Sequence, residues 1–251
     1  MAAKIMNCDL VVLGAAGSGL VAAVKAADVS GRKVIVLEKA KKPGGGSVFA
    51  GGMGEVGQIK DSKWQRDAGM PVSDPPDIKG QFWDWVVSKG GAEKYFIVEK
   101  EGSGRTAGGI SMPGRMEKYQ GLPDPTIGPG KMGTYIVEKM LECCEKMRIP
   151  VLTETRAMKF VMDDNGTVNG VLAETKDGQL IVNCKACVIA AGGFGGNYEK
   201  LRKHWPEVFN NKHMFSLCPH TITGDCIDMA EEIGAAIDQA KRDLYFPGGF
   251  I

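Results

Sequence analysis

A glycine-rich turn between a short apolar strand and an apolar helix most constrains how this chain folds. Residues 10–13 form an apolar run typical of a buried strand, and residues 17–29 carry apolar side chains at helical spacing. Ser30-Gly31 ends that helix, and residues 34–37 form a second β-branched run. A strand, a helix and a second strand in this order predict a β-α-β unit, the building block of a parallel sheet.

The turn approximates a dinucleotide-binding fingerprint, Gly-x-Gly-x-x-Gly. Gly14 and Gly19 supply its first and third glycines, but Ala16 stands where the second glycine normally lets the backbone approach a pyrophosphate. The helix N-terminus still offers N–H groups and a positive dipole end to an anion. Taken alone, the motif leaves a chance glycine-rich turn as an open alternative.

An acidic residue, Glu38, closes the second strand. At this position a carboxylate accepts hydrogen bonds from a ribose diol and disfavours the 2′-phosphate of NADP. An ordinary strand-end glutamate is the alternative interpretation. The order of strand, glycine turn, helix, strand and acid favours a bound dinucleotide.

A second glycine-rich stretch indicates a cofactor longer than NAD. Glu38-Lys39 leads into the loop PGGGS at residues 43–47 and the turn AGG at residues 50–52. Glycine lets the backbone press against a ligand, and the chain's 35 glycines, roughly twice average usage, cluster in such loops. A loop beside the first turn suits the pyrophosphate and ribityl chain of FAD, and nicotinamide enzymes have no obvious need for it.

Regular patterns resume after a proline-rich segment, residues 54–130, in which only residues 78–89 suggest a helix. Asn165-Gly166 and Asp177-Gly178 are typical hairpin turns. The predicted elements are a helix at 133–147, strands at 157–162, 168–175, 180–184 and 187–191, and a helix at 227–237. We therefore expect an α/β fold with a parallel central sheet and a small antiparallel β-meander.

These motifs resemble the fumarate reductase and succinate dehydrogenase flavoprotein family, which includes 3-oxosteroid dehydrogenases and urocanate reductases. Residues 38–52 are similar to the family's acid-Lys pair, Pro-Gly-Gly-Asn-Ser/Thr loop and small-Gly-Gly turn. Residues 188–197, VIAAGGFGGN, and residues 223–226, TGDC, are similar to its second glycine turn and Thr-Gly-Asp-Gly segment. The resemblance covers most of residues 8–240 and is poor from 54 to 130.

The resemblance implies a Rossmann-like, two-dinucleotide-binding FAD domain over residues 1–251. Ser18 and neighbouring amides would bind the pyrophosphate, Glu38 the adenosine ribose, and the backbone of Ala157 the adenine. The predicted FAD-contacting residues are Gly14, Ala16, Gly17, Ser18, Gly19, Glu38, Lys39, Gly45, Gly46, Ser47, Ala50, Gly51, Gly52, Ala157, Ala191, Gly192, Asn197 and Asp225. Ala16, Gly46, Ala191 and Cys226 replace the family's glycine, asparagine, threonine and glycine, and losing the asparagine and threonine lowers the expected affinity.

Family members are considerably longer, because a capping domain and a C-terminal segment follow and carry the substrate-binding and proton-donating residues. The resemblance implies that this chain is a fragment or that a second polypeptide supplies those parts, and it assigns no catalytic residue here. The implied reaction passes a hydride between flavin N5 and an activated C=C bond of a fumarate-, enoate- or enone-like small molecule. A non-catalytic flavin or electron-transfer subunit and an NAD-binding dehydrogenase module are the alternatives.

Composition and charge limit the expected binding partners and the expected cellular compartment. The net charge is +1 and no basic stripe occurs, so we expect no nucleic-acid partner. The most apolar stretch, residues 10–27, is interrupted by glycines and Lys25 and predicts no membrane span, and residues 1–9 are too short and polar for a signal peptide. Seven scattered cysteines favour reduced thiols in the cytoplasm.

Cys184 and Cys187 have the C-x-x-C spacing of redox and zinc sites. Residues three apart on a strand point to opposite faces, so this spacing favours two small buried residues. We expect no metal site.

Overall fold

The computed structural model describes residues 3–49, 132–210, 216 and 218–236. A 3-10 helix, Gly45–Phe49, lies in the loop after the third strand. The other elements are β1 (Lys4–Asn7), β2 (Leu10–Leu13), α1 (Gly17–Ser30), β3 (Val34–Leu37), α2 (Met132–Lys146), β4 (Val151–Leu152), β5 (Thr155–Met162), β6 (Val168–Thr175), β7 (Gly178–Asn183), β8 (Ala186–Ile189), α3 (Tyr198–His204), α4 (Pro206–Phe209) and α5 (Asp225–Glu232).

A parallel sheet with the strand order β4-β3-β2-β8 forms the centre of the described fold. Its central strands β2 and β3 are apolar at every position because both faces of the sheet are covered. Val12 and Val36 pack with α1 and α2 on one face, whereas Val11 and Ile35 pack with the second sheet on the other. The predicted β-α-β unit is confirmed.

The second sheet is mixed and has the order β1-β7-β6-β5. Strands β5, β6 and β7 form the predicted antiparallel meander, with Gly166 and Gly178 at positive φ in its two turns. The sequence did not predict β1, which joins β7 in parallel. Strand β1 has only four residues, two of them polar, and is largely exposed, so it carries no apolar pattern that marks a strand.

The predicted helices at the start, middle and end of the described chain all form, with ends displaced by a few residues. Gly31 caps α1 in the left-handed conformation, where φ is +60°, as its position after the last apolar turn predicts. The short helices α3 and α4 were not predicted. The helix expected at residues 78–89 lies outside the described residues.

The prediction that Cys184 and Cys187 point to opposite faces is wrong. Cys184 lies between β7 and β8 and not on a strand, and both cysteines pack in the cluster between the two sheets. Neither takes part in a disulfide. The described residues contain no group of His, Cys, Asp or Glu that could hold a metal ion.

In the described part of the chain, no helix is both long and apolar enough to cross a bilayer.

Candidate cofactor-binding site

A cavity of about 420 Å³ opens where the parallel strands β2, β3 and β8 end. Ligands of open α/β sheets bind in this place, outside the carboxyl ends of the strands. The first glycine turn, the loop after β3, the start of β5, the second glycine turn and the segment before α5 line it. The lining residues are Leu13, Gly14, Ala16, Ser18, Leu37, Glu38, Lys39, Gly45, Gly46, Ser47, Thr155, Arg156, Ala157, Ala190, Ala191, Gly192, Thr221, Ile222, Gly224, Asp225 and Cys226.

Two glycines allow the first turn to pack tightly between strand and helix. Gly14 has φ of +103°, and a Cβ there would lie 2.5 Å from the carbonyl oxygen of Ala190. A Cβ on Gly19 would lie 1.9 Å from the carbonyl oxygen of Gly14, closer than any real contact. The first and third glycines of the fingerprint are therefore required by the backbone itself.

Ala16 occupies the second fingerprint position without backbone strain. Its φ of −91° and ψ of −176° are extended values that any residue adopts. Ala16 bridges to Gly44, whose N–H donates to the carbonyl of Ala15 at 2.8 Å. This bridge joins the first turn to the second glycine loop.

Ser47 compensates for the missing cap of α1. Ala16, the N-cap residue, offers no side-chain acceptor to the first turn of the helix. The Ser47 hydroxyl oxygen instead accepts a hydrogen bond from the N–H of Gly17 at 3.0 Å. Ser18, the next residue, lines the cavity.

Glu38 is buried, with 8% of its surface exposed, and its carboxylate organises two loops. One oxygen accepts from the N–H of Ala15 and the other from the N–H of Ala40, each at 2.8 Å. A carboxylate has about four acceptor positions, so these bonds leave capacity for hydroxyl donors from the cavity.

A cluster of charged side chains lies beside Glu38. The Lys39 ammonium donates to the hydroxyl of Thr223 at 2.6 Å and to the carboxylate of Asp225 at 3.2 Å. Arg156 Nε donates to the same Asp225 oxygen at 2.8 Å. Partial burial alone would raise the pKa of Asp225, but hydrogen bonds from Thr223, Arg156 and Lys39 lower it to about 2.

Twelve of the predicted site residues line the cavity. The others either lie elsewhere in the fold or fall outside the described residues. Gly17 and Gly19 lie in α1, outside the lining. Asn197 also lies outside the lining, and its side-chain oxygen caps α3 by accepting from the N–H groups of Glu199 and Lys200 at 3.1 Å each. The predicted contacts at residues 50–52 lie outside the described residues.

Several lining residues were not predicted. Thr155 is buried and donates its hydroxyl proton to the carbonyl of Thr153 at 2.9 Å. Ile222 reaches between the two glycine loops, because Cβ atoms on Gly46 and Gly192 would each lie 3.4 Å from its side chain. Thr155 lies just before Ala157, a predicted contact, and this proximity could have identified it as a lining residue. Nothing in the local sequence marks Ile222.

Cys226 is a buried thiol in the cavity wall. Burial, followed by the neighbouring carboxylate of Asp225, raises the pKa of this thiol to about 11. The thiol is therefore protonated at neutral pH, which keeps its reactivity low.

A parallel sheet, a glycine turn opening α1, a strand-end acid and a second glycine loop define an α/β dinucleotide-binding protein. The sequence matches the family model described as FAD binding domain over residues 9–246, and the chain belongs to this family. FAD is thus the cofactor of this domain, and the prediction of FAD is confirmed.

Known relatives support this assignment and its resemblance to fumarate reductase. A fumarate reductase (cytochrome) of Shewanella frigidimarina is 30% identical over 260 residues, covering 96% of this chain and 43% of the relative. A urocanate reductase of Eggerthella lenta is 32% identical over 263 residues, covering 96% and 40%. The chain thus spans less than half the length of these curated relatives.

A solved structure supports the fold. The 3-ketosteroid-Δ4-(5α)-dehydrogenase of Rhodococcus jostii RHA1 aligns with a TM-score of 0.65 at 22% identity, over 92% of this chain and 55% of that chain. At this level of identity the likeness concerns the fold alone.

Proposed function

We propose that this chain is the FAD-binding part of an oxidoreductase that reduces or forms an activated C=C bond by hydride transfer. The cavity at the ends of β2, β3 and β8 carries the proposal, because the strand-end acid and both glycine turns meet there. Fumarate and urocanate, named in two relatives, are both α,β-unsaturated carboxylic acids. We therefore favour a fumarate- or enoate-like acid, or an enone, as the substrate.

The cavity lining fits the ADP half of FAD. Glu38 keeps free acceptor positions for the adenosine ribose hydroxyls, and Ala157 would contact the adenine through its backbone. The pyrophosphate would lie at the N-terminus of α1, where Ser18 and backbone N–H groups are available to an anion. Ser47 would donate its own hydroxyl proton, since its oxygen already accepts from Gly17.

The remaining predicted contacts surround the longer part of the cofactor. Gly45 and Gly46 would follow it from one side, Ala191 and Gly192 from the other, and Lys39 and Asp225 would lie beside it. When bound, FAD supplies the hydride-accepting and hydride-donating centre at N5. This chain's residues bind and orient the cofactor, and no described residue is assigned to proton transfer.

A second polypeptide, or the rest of a longer chain, would complete the enzyme. Residues 1–251 would form one FAD-binding domain, and the capping and substrate-binding parts would come from that partner or from the rest of the longer chain. This inference rests on the share of the relatives that the chain spans, 43% and 40% in the two named above. We propose a cytoplasmic location, because seven cysteines, an odd number scattered along the chain, fit reduced thiols better than a disulfide framework.

Cofactor analysis tests the proposal directly. The chain is purified natively and denatured, and the released cofactor is identified by mass and counted against protein. We expect about one FAD per chain, as a single dinucleotide site requires. Release of NAD, or no retention of added FAD, would contradict the proposal.

Activity separates the enzyme from a non-catalytic flavin carrier. Reduced flavin on the chain, alone and with any co-purifying polypeptide, is mixed anaerobically with fumarate or urocanate and followed by its visible absorbance. Reoxidation only with the partner supports a divided reductase. No reoxidation by any unsaturated acid or enone, with the partner present, favours the electron-transfer alternative.

A further inference from the structure

A ring of charged and polar side chains joins three separate parts of the cavity wall. Lys39 follows Glu38 at the end of β3, Arg156 lies in β5 beside Ala157, and Asp225 begins α5. Asp225 and Lys39 are separated by 186 residues in the sequence. The ring therefore connects segments that are far apart in the sequence.

The hydrogen bonds of the ring converge on Asp225. One carboxylate oxygen accepts from Lys39 and from Arg156, and the other accepts from the hydroxyl of Thr223. Thr223 in turn accepts from Lys39 at 2.6 Å. Each hydrogen bond of the ring joins one donor to one acceptor. The Asp225 side chain is only 16% exposed.

We propose that Lys39 and Arg156 are positioning residues, which act through Asp225 to hold residues 221–226 against the FAD cavity. The inference rests on the proposed function and adds to it a role that the sequence motifs did not assign. Lys39 was expected along the cofactor itself, but its ammonium group donates to Thr223 and Asp225. Its contribution to cofactor binding then passes through the Asp225 carboxylate.

The segment held in this way contains much of one cavity wall. Thr221, Ile222, Gly224 and Cys226 all line the cavity, and Gly224 has φ of +76° at the start of α5. Lys200 anchors the outer side of the same helix start, donating to the carbonyl of Gly224 at 3.1 Å and to Asp228. Lys39 and Arg156 thus supply the anchor on the cavity side.

Paired substitutions test whether Lys39 acts through Asp225. FAD affinity of the 251-residue chain is measured by titration for Lys39→Met, Asp225→Asn and the double variant. We expect about tenfold weaker binding for each single variant, which corresponds to about 1.4 kcal/mol. We expect the double variant to be within about twofold of Asp225→Asn, since residues of one network are not additive.

Two further variants serve as controls. Lys39→Arg keeps the cation and should bind FAD within about threefold of the unchanged chain, which corresponds to less than about 1 kcal/mol. Lys185→Met removes a more exposed ion pair, Lys185–Asp9 at 2.7 Å, which lies outside the cavity lining, and should leave affinity unchanged. Fully additive losses in the double variant would mean that Lys39 contacts the cofactor directly, and would overturn the proposal.

Hydrogen exchange supplies a readout that does not depend on bound FAD. In Lys39→Met, and not in Lys185→Met, the backbone amides of residues 221–226 should exchange faster. Unchanged exchange there would overturn the positioning role even if FAD binds normally. Failure of the unchanged chain to bind FAD, with faster exchange in Lys39→Met, would instead contradict the proposed function and leave the positioning of this segment supported.

Discussion

The Glu38 carboxylate accepts a hydrogen bond from the backbone N–H of Ala15 at 2.8 Å, which joins the end of β3 to the first glycine turn. Its other oxygen accepts from Ala40 at the same distance, so the turn and the following loop share one buried acid. The ribose-binding role and the structural role of a strand-end glutamate are therefore compatible in this residue.

Substitution Glu38→Gln should affect both roles. The amide nitrogen cannot accept, so one of the two N–H groups loses its partner in a buried place. We expect the free energy of unfolding to fall by about 1–3 kcal/mol and the retained flavin to decrease. Urea denaturation and flavin content provide the measurements, and Glu174→Gln, at an exposed position in β6, is the matched control. Equal losses in both variants would contradict the assignment.

Substitution Gly19→Ala should reverse the usual preference of a helix for alanine. Alanine normally stabilises a helix interior relative to glycine by about 1 kcal/mol. Here the added Cβ would lie 1.9 Å from the Gly14 carbonyl oxygen, so α1 must move away from the turn. We expect a loss of about 1–3 kcal/mol or more and little bound FAD.

Gly193→Ala is the control for that substitution. Gly193 lies in the second glycine turn, and a Cβ there would meet no atom within 4 Å. Thermal unfolding and flavin content should therefore stay close to those of the unchanged chain. A stable, FAD-loaded Gly19→Ala protein would show that the helix and turn can separate without cost.

The sequence predicted the central sheet well because its signals are local. Strands β2 and β3 are apolar throughout, and the hairpin glycines mark the meander turns without reference to the rest of the chain. Strand β1 has no such signal, since it becomes a strand only by pairing with β7. Long-range pairing of a short, exposed segment cannot be read from periodicity.

The candidate site was predictable where it is built from backbone and unpredictable where side chains meet across the fold. Gly14 and Gly19 are marked by the fingerprint spacing. Ser47 capping α1, and Lys39 meeting Asp225, depend on how distant segments pack. Ala16 departs from the fingerprint, yet its backbone is unstrained.

The seven cysteines should react very unequally with a thiol reagent. Burial raises the pKa of Cys8 and Cys226 to about 11 and of Cys144 and Cys187 to about 12. Because the thiolate is the nucleophile, these groups should react slowly at pH 8. Cys218 is exposed, and we expect it to be the one fast-reacting thiol in the native chain.

A disulfide reagent that releases a coloured thiol measures this directly. The native chain should show one fast equivalent, Cys218→Ser should show none, and the urea-denatured chain should show all seven. Two or more fast equivalents in the native chain would mean that at least one of the two buried apolar clusters is open to solvent.

Acid should remove the stabilising contribution of Asp225 at a defined pH. Its pKa falls from 3.8 to about 2 on folding, so its contribution is complete above pH 4 and is lost as pH falls towards 2. The urea midpoint of the native chain should therefore exceed that of Asp225→Asn at pH 5–7, and the difference should shrink between pH 4 and 2. Asp177→Asn, at an exposed turn, is the control for the loss of a carboxylate outside this ring. A difference that persists unchanged at pH 2 would mean that the ring around Asp225 does not depend on its charge.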